Sequence, residues 1–133
     1  MTTKAFSLAK IQVQDIDAAE QFYVDALGLE VSGRVTQGEG EGLMLERIMA
    51  VPGGPRGATN FILISFPNTP CPAPGEATIG FMVEMLETAI ERATAAGATL
   101  DVPPTDLPEY GLRLAFIRDP QGHRVELLQS TRG

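Results

Sequence analysis

One cysteine, Cys71, and one histidine, His123, are the only thiol and the only imidazole that this 133-residue chain can offer a metal. A lone cysteine excludes an intrachain disulfide and a cysteine-based zinc site. Tryptophan is absent and aromatic residues make up only 6% of the chain, so broad aromatic stacking surfaces are not available. Positive charge is also scarce: 10 Lys and Arg stand against 17 Asp and Glu, a net charge of −7. Nucleic acid and anionic membrane both require a positive surface, so neither is an expected partner. No apolar run approaches the roughly 20 residues that span a bilayer. No basic segment with an apolar core follows Met1. The expectation is a soluble, cytoplasmic protein.

What the chain does contain is a globular balance, 44% apolar with charges spread along its length. The length fits a single domain over residues 1–133, able to bury about two-thirds of its unfolded surface. Within it one hydrophobic pattern occurs twice. In the first copy, residues 8–14 alternate as a half-buried strand, Ile11 and Val13 against Lys10, Gln12 and Gln14. A helix is predicted over 17–26, with the apolar stripe Ala19, Phe22, Tyr23, Ala26 and Leu27. Asp15 or Asp17 is placed to cap it, with Glu20 completing a box from Asp17, and Gly28 to end it. Strands follow over 30–35, 43–50 and 60–66, separated by glycine-rich turns at 37–42 and 52–57.

A proline-rich bridge then interrupts the pattern. The second copy has a strand over 78–83, a helix with the face Leu86, Ala89, Ile90, Ala93 and Ala96, and Gly97 to close it. Strands over 99–102, 112–118 and 124–129 complete the copy. The fold class is therefore α+β, two βαβββ modules in tandem. Module 1 covers 5–66, a linker 67–76, and module 2 covers 77–130.

Four stretches carry a resemblance. Near the C-terminus runs Asp119-Pro120-Gln121-Gly122-His123-Arg124-Val125-Glu126-Leu127-Leu128. Near the N-terminus run Val13-Gln14-Asp15, then Phe22-Tyr23, then Leu27-Gly28-Leu29. In this order and spacing they resemble the vicinal oxygen chelate superfamily, which holds glyoxalase I, extradiol dioxygenases and the bleomycin-binding resistance proteins. The resemblance covers nearly the whole chain. It implies that the paired modules form an open, barrel-like sheet around a cleft, that the chain is a homodimer, and that a divalent metal ordinarily sits in the cleft.

The ligand positions that the resemblance implies are poorly filled. The first falls on Leu8, which has no lone pair to give. The one that opens the second module falls on Thr78, a poor transition-metal ligand beside imidazole. An additional position in the last strand of module 1 aligns with Leu63, or with Ile62 or Ile64 after a one-residue slip; none can bind an ion. Only the last, Glu126, keeps a donor. His123 stands three residues away, on the other side of an alternating strand, and reads as a turn residue satisfying local hydrogen bonds. No metal ligand set and no cofactor are therefore expected.

Strand parity names the groups that line such a cleft instead. Leu8, Lys10 and Gln12 share a face, as do Thr78, Gly80 and Met82, and Arg124, Glu126 and Leu128. With Leu63 these give an apolar wall carrying a few polar groups, the ordinary composition of a small-molecule site. Tyr110 and Arg113 flank Gly111 ahead of a strand and are further ligand candidates. Glu126 is the candidate catalytic group, a general base or ligand anchor; the competing reading is an ion pair with Lys10 that only fills space.

Three functions stay open. One is a metal-free protein binding a small, largely apolar molecule, as the bleomycin-binding members do, although the shortage of aromatics weighs against drug sequestration. The second is a metal-independent lyase or isomerase using Glu126, with Lys10 or Gln12 stabilising a developing oxyanion. The third, a metal-dependent glyoxalase-type lyase, requires ligands that the alignment does not supply. Ring-cleaving dioxygenases need two histidines and a carboxylate, and one histidine excludes them.

Overall fold

The structure, a computed structural model, describes residues 2–132. These divide into two compact units: the first reaches to Pro72 but without Asp25–Leu27, the end of the first helix, and the second runs from Ala73 and takes in those three residues. The first is built from β1 (Leu8–Gln12), α1 (Ile16–Leu27), β2 (Glu30–Gln37), β3 (Met44–Ala50) and β4 (Asn60–Ser65). The second repeats the order with β5 (Thr78–Met82), α2 (Leu86–Ala95), β6 (Thr99–Leu107), β7 (Leu112–Arg118) and β8 (Arg124–Ser130). Each unit folds into a four-stranded sheet, ordered β1-β4-β3-β2 and β5-β8-β7-β6. The first and last strands of each module pair in parallel, the other neighbours antiparallel. The α+β class and the tandem βαβββ arrangement read from the pattern are those of the molecule.

The helix ends follow from local chemistry. Asp15 is the N-cap of α1, its Oδ1 accepting from the Ala18 backbone N–H at 3.1 Å. Gly28 ends the helix with φ of 68°, a left-handed conformation that costs glycine little. The expected box between Asp17 and Glu20 does not form. With the cap at Asp15 both carboxylates lie inside the helix, and Arg47 draws them together at 2.9 and 2.7 Å. In α2 the cap residue Met85 offers no side-chain acceptor, and Gln129 Oε1 on β8 takes the Leu86 N–H at 2.8 Å instead.

Each helix covers one face of its own sheet. Under α1 the core is Val13, Ile16, Phe22, Tyr23, Ala26, Leu29, Met49 and Leu63, with Tyr23 edge-on to Phe61 at 5.0 Å between centroids. Under α2 it is Leu86, Ala89, Ala93, Ala115, Ile117, Val125 and Leu127. The sheets differ from expectation mainly at β6, which runs on to Leu107 rather than stopping at Val102. It is the last strand in its sheet, so Pro103 and Pro104 remove no needed ladder bond, and two register shifts absorb them.

Candidate functional site

Register decides which side chains share the face that the helices leave uncovered. In the first sheet Lys10 lies level with Ile62, Ile62 with Ile48, and Gly33 with Ile48. Leu8, Lys10, Gln12, Ile62, Ile64, Glu46 and Ile48 therefore point one way. Ile11, Leu63, Arg47 and Met49 point the other, under α1. In the second sheet Thr78, Gly80 and Met82 lie level with Arg124, Glu126 and Leu128, and Glu126 with Phe116. All of these stand on the helix-free face.

Leu8, Lys10 and Gln12 thus share a face as expected, and so do Thr78, Met82, Arg124, Glu126 and Leu128. Leu63 does not join them. It is fully buried on the helix side of β4, because a slip of one residue reverses the side a strand residue faces. Two equivalent hydrogen bonds fix the repeat: Val13 N–H donates to Ile64 O at 2.8 Å, and Val83 N–H to Leu128 O at 2.7 Å. The partner of Glu126 in the first module is accordingly Ile62.

Arg113 is also misplaced by the sequence reading. It faces α2, and its guanidinium grips Glu87 at 2.6 and 3.0 Å and Asp106 at 2.9 Å. This mirrors Arg47 gripping the first turns of α1. The hydrogen bond from Arg113 holds the Glu87 carboxyl below the usual carboxylate range, helped by a bond from its own backbone. Glu87 and then Asp106 push the Arg113 guanidinium further up. A carboxyl whose folded pKa is depressed adds stability above its unfolded pKa and loses it as pH falls through the folded value. Arg113→Ala is therefore expected to return the Glu87 titration, followed by carboxyl carbon NMR, upward into the ordinary range. An unmoved titration would remove Arg113 as its cause.

Lys10 is engaged inside its own unit. Its Nζ meets Glu46 Oε2 at 2.5 Å, reaching from β1 across β4 to β3. Glu46 is a buried carboxylate that sequence reasoning missed, since only strand register places it beside Lys10. The suggested Lys10–Glu126 pairing is thus replaced. Glu126 is half-buried and makes no ion pair or side-chain hydrogen bond among the described residues.

Phe116 was missed as well. It lies level with Glu126 on β7, and the Arg124 guanidinium carbon sits 4.1 Å from its ring centroid. Met82 is 62% exposed, while Leu128 and Phe116 are half-buried. Tyr110 is 65% exposed on a short 3-10 helix, Pro108–Tyr110.

His123 has the turn role that the pattern suggested. Its ring Nδ1 lies 2.9 Å from Asp119 Oδ2, and its backbone N–H donates to Asp119 Oδ1 at 2.8 Å. The N–H groups of Gln121 and Gly122 donate to that same oxygen at 3.0 and 2.9 Å. Asp119 is the hub that folds the β7–β8 turn and delivers Arg124 and Glu126 to β8. Among the described residues no three His, Cys, Asp or Glu side chains gather in a metal-binding group. Among the described residues, too, no helix is long and apolar enough to cross a membrane.

Comparison with known proteins agrees with this architecture. The family profile of the Glyoxalase/Bleomycin resistance protein/Dioxygenase superfamily matches residues 5–127, and the chain belongs to that family. A glyoxalase family protein from Bacillus cereus shares the fold at a TM-score of 0.77 and 24% identity, over 97% of each chain. A glyoxylase/bleomycin resistance protein/dioxygenase domain from Frankia does so at 0.73 and 20% identity, covering 100% of this chain and 96% of that one. A glyoxalase I mutant from Zea mays gives a TM-score of 0.76 at 18% identity, covering 92% of this chain. The present chain spans about half of that maize protein, 45% of its length. No curated protein matches the chain by sequence.

Proposed function

We propose that this protein binds a small, largely apolar organic molecule on the helix-free faces of its sheets and does so without a metal ion. The observation that carries the reading is the state of Glu126. It is a carboxylate with no ion pair or side-chain hydrogen bond among the described residues, set among Phe116, Leu128 and Met82. Polar groups of this kind on an apolar surface are what orient a small ligand. The metal that the family ordinarily employs does not suit the side chains present. The positions that would hold it carry Leu8, Thr78, Ile62 and Glu126, one good donor where about three are required. Lys10 is neutralised by Glu46 beside Ile62, so the first unit brings an ion pair rather than ligands. Leu8 and Gln12 in the first unit, and Thr78, Arg124 and Tyr110 in the second, are the further groups proposed to meet a ligand, each within its own unit. The working form is a homodimer in the cytoplasm.

A second reading rests on the same carboxylate. With no side-chain partner among the described residues, Glu126 is available as a general base, and the protein is then a lyase or isomerase that needs no metal. Glu126→Gln separates the two. For a binder, affinity for a ligand found by thermal-shift screening changes and no turnover is ever seen. For an enzyme, turnover of that compound falls by about 100-fold or more while its Kd stays within about threefold. A wild-type protein that binds nothing across a broad library of small organic compounds contradicts both.

A further inference from the structure

We infer that Arg124 is an anion-reading group on the helix-free face of the second sheet, and that the ligand there is a monocarboxylic acid bearing a separate hydrogen-bond donor. The inference deepens the binding function proposed above and rests on it.

The guanidinium of Arg124 has neither an ion pair nor a hydrogen-bond partner among the described residues, and its Nε is shielded from solvent with its N–H unanswered. That distinguishes it from Arg47, Arg113 and Arg118, each of which meets at least one carboxylate. A shielded N–H without an acceptor is disfavoured, and a charged one more so. Packing 4.1 Å from the Phe116 ring centroid keeps the guanidinium in place, and its two Nη groups, which unlike Nε are not shielded, are left for an acceptor lying in its own plane. A carboxylate has two oxygens spaced to match that fork.

The neighbours on this face supply no such acceptor. Arg118, level with Arg124 on β7, is a second cation, held by Asp101 at 3.4 Å and by Gly122 O at 3.2 Å. Glu126 lies two residues further along β8, roughly 7 Å by strand geometry, and makes no ion pair with Arg124. Beside Glu126 on β5 is Gly80, which adds no side chain of its own, and Leu128 Cδ1 lies 3.4 Å from where its β-carbon would sit. One end of the strand face thus offers a fixed cation and the other an anion flanked by an apolar side chain. The anion accepts a hydroxyl or amine and repels a second carboxylate. A monocarboxylate with a donor group at its far end satisfies both.

The test is calorimetric titration of the full-length protein with benzoate, hexanoate and p-hydroxybenzoate, each beside its uncharged amide. We expect the acids to bind about tenfold or more tightly than their amides, with p-hydroxybenzoate ahead of benzoate. Arg124→Gln should reduce the acids to the level of the amides, and Arg124→Lys should restore only part of the difference. Amides that bind as tightly as acids, or acids indifferent to Arg124→Gln, overturn the inference and leave the apolar-ligand reading intact. If neither acids nor amides bind, while other small organic compounds do, the inference alone falls; if nothing binds, both fall. Should Arg124→Gln fail to fold, the wild-type ratio of acid to amide decides by itself.

Discussion

Leu63→Ala is expected to lower the free energy of unfolding by about 2–5 kcal/mol, the cost of emptying a close-packed leucine site. Leu63 is wholly buried between Ile11 on β1 and the Arg47 position on β3, on the side of the sheet that α1 covers. Trimming its isobutyl side chain to a methyl leaves a cavity whose walls are regular strands and cannot readily collapse. The loss is measured as a fall in the urea midpoint with an unchanged slope. The same variant should keep its ligand affinity, since the side chain points away from the helix-free face. A stable variant with weakened binding would restore Leu63 to the ligand wall and reverse the register described for β4.

The second large effect is expected at Asp119. One of its oxygens accepts from three successive backbone N–H groups, and the other meets the His123 ring. Asp119→Ala strands those donors in a buried turn, and about 2–4 kcal/mol of stability should be lost. Asp119→Asn retains one carbonyl oxygen for the backbone donors and should cost clearly less. Chemical denaturation of the two variants side by side checks the order. Equal losses would mean that the charge opposite His123, rather than the backbone network, holds the turn.

Much of the fold is legible in the sequence because its signals are local. The stripe of α1, the acceptor at Asp15 and the left-handed Gly28 each require knowledge of only a few neighbouring residues. The repetition of that pattern gave both modules. What depends on register was not legible. Leu63 and Ile62 are adjacent in sequence and lie on opposite faces, so a one-residue uncertainty moved a core residue into the proposed site. Arg113 was misread for a related reason. Its position ahead of a strand suggested a loop contact, whereas cross-strand pairing with Gln129 turns it toward the first turn of α2.

The same holds for the partners of the site residues. Glu46 answers Lys10 from 36 residues away, and Phe116 meets Arg124 only after β7 and β8 have paired. The helix-free faces were legible as groups of residues, because alternation along a single strand suffices for Leu8, Lys10 and Gln12 or for Arg124, Glu126 and Leu128. Which charges would cancel within those groups was not, since Coulombic pairing depends on distances that only the assembled sheet sets.

Metal content tests the central claim, ligand binding without a metal ion, most directly. Protein purified without chelator or nickel affinity resin would be analysed by elemental mass spectrometry. Manganese, iron, nickel and zinc would then be added back while thermal unfolding is followed. The account predicts far less than one ion per chain and no rise in melting temperature with any of them. About one tightly held ion per chain, or a clear stabilisation by one metal, would contradict it and return the protein to the metal-dependent members of its family.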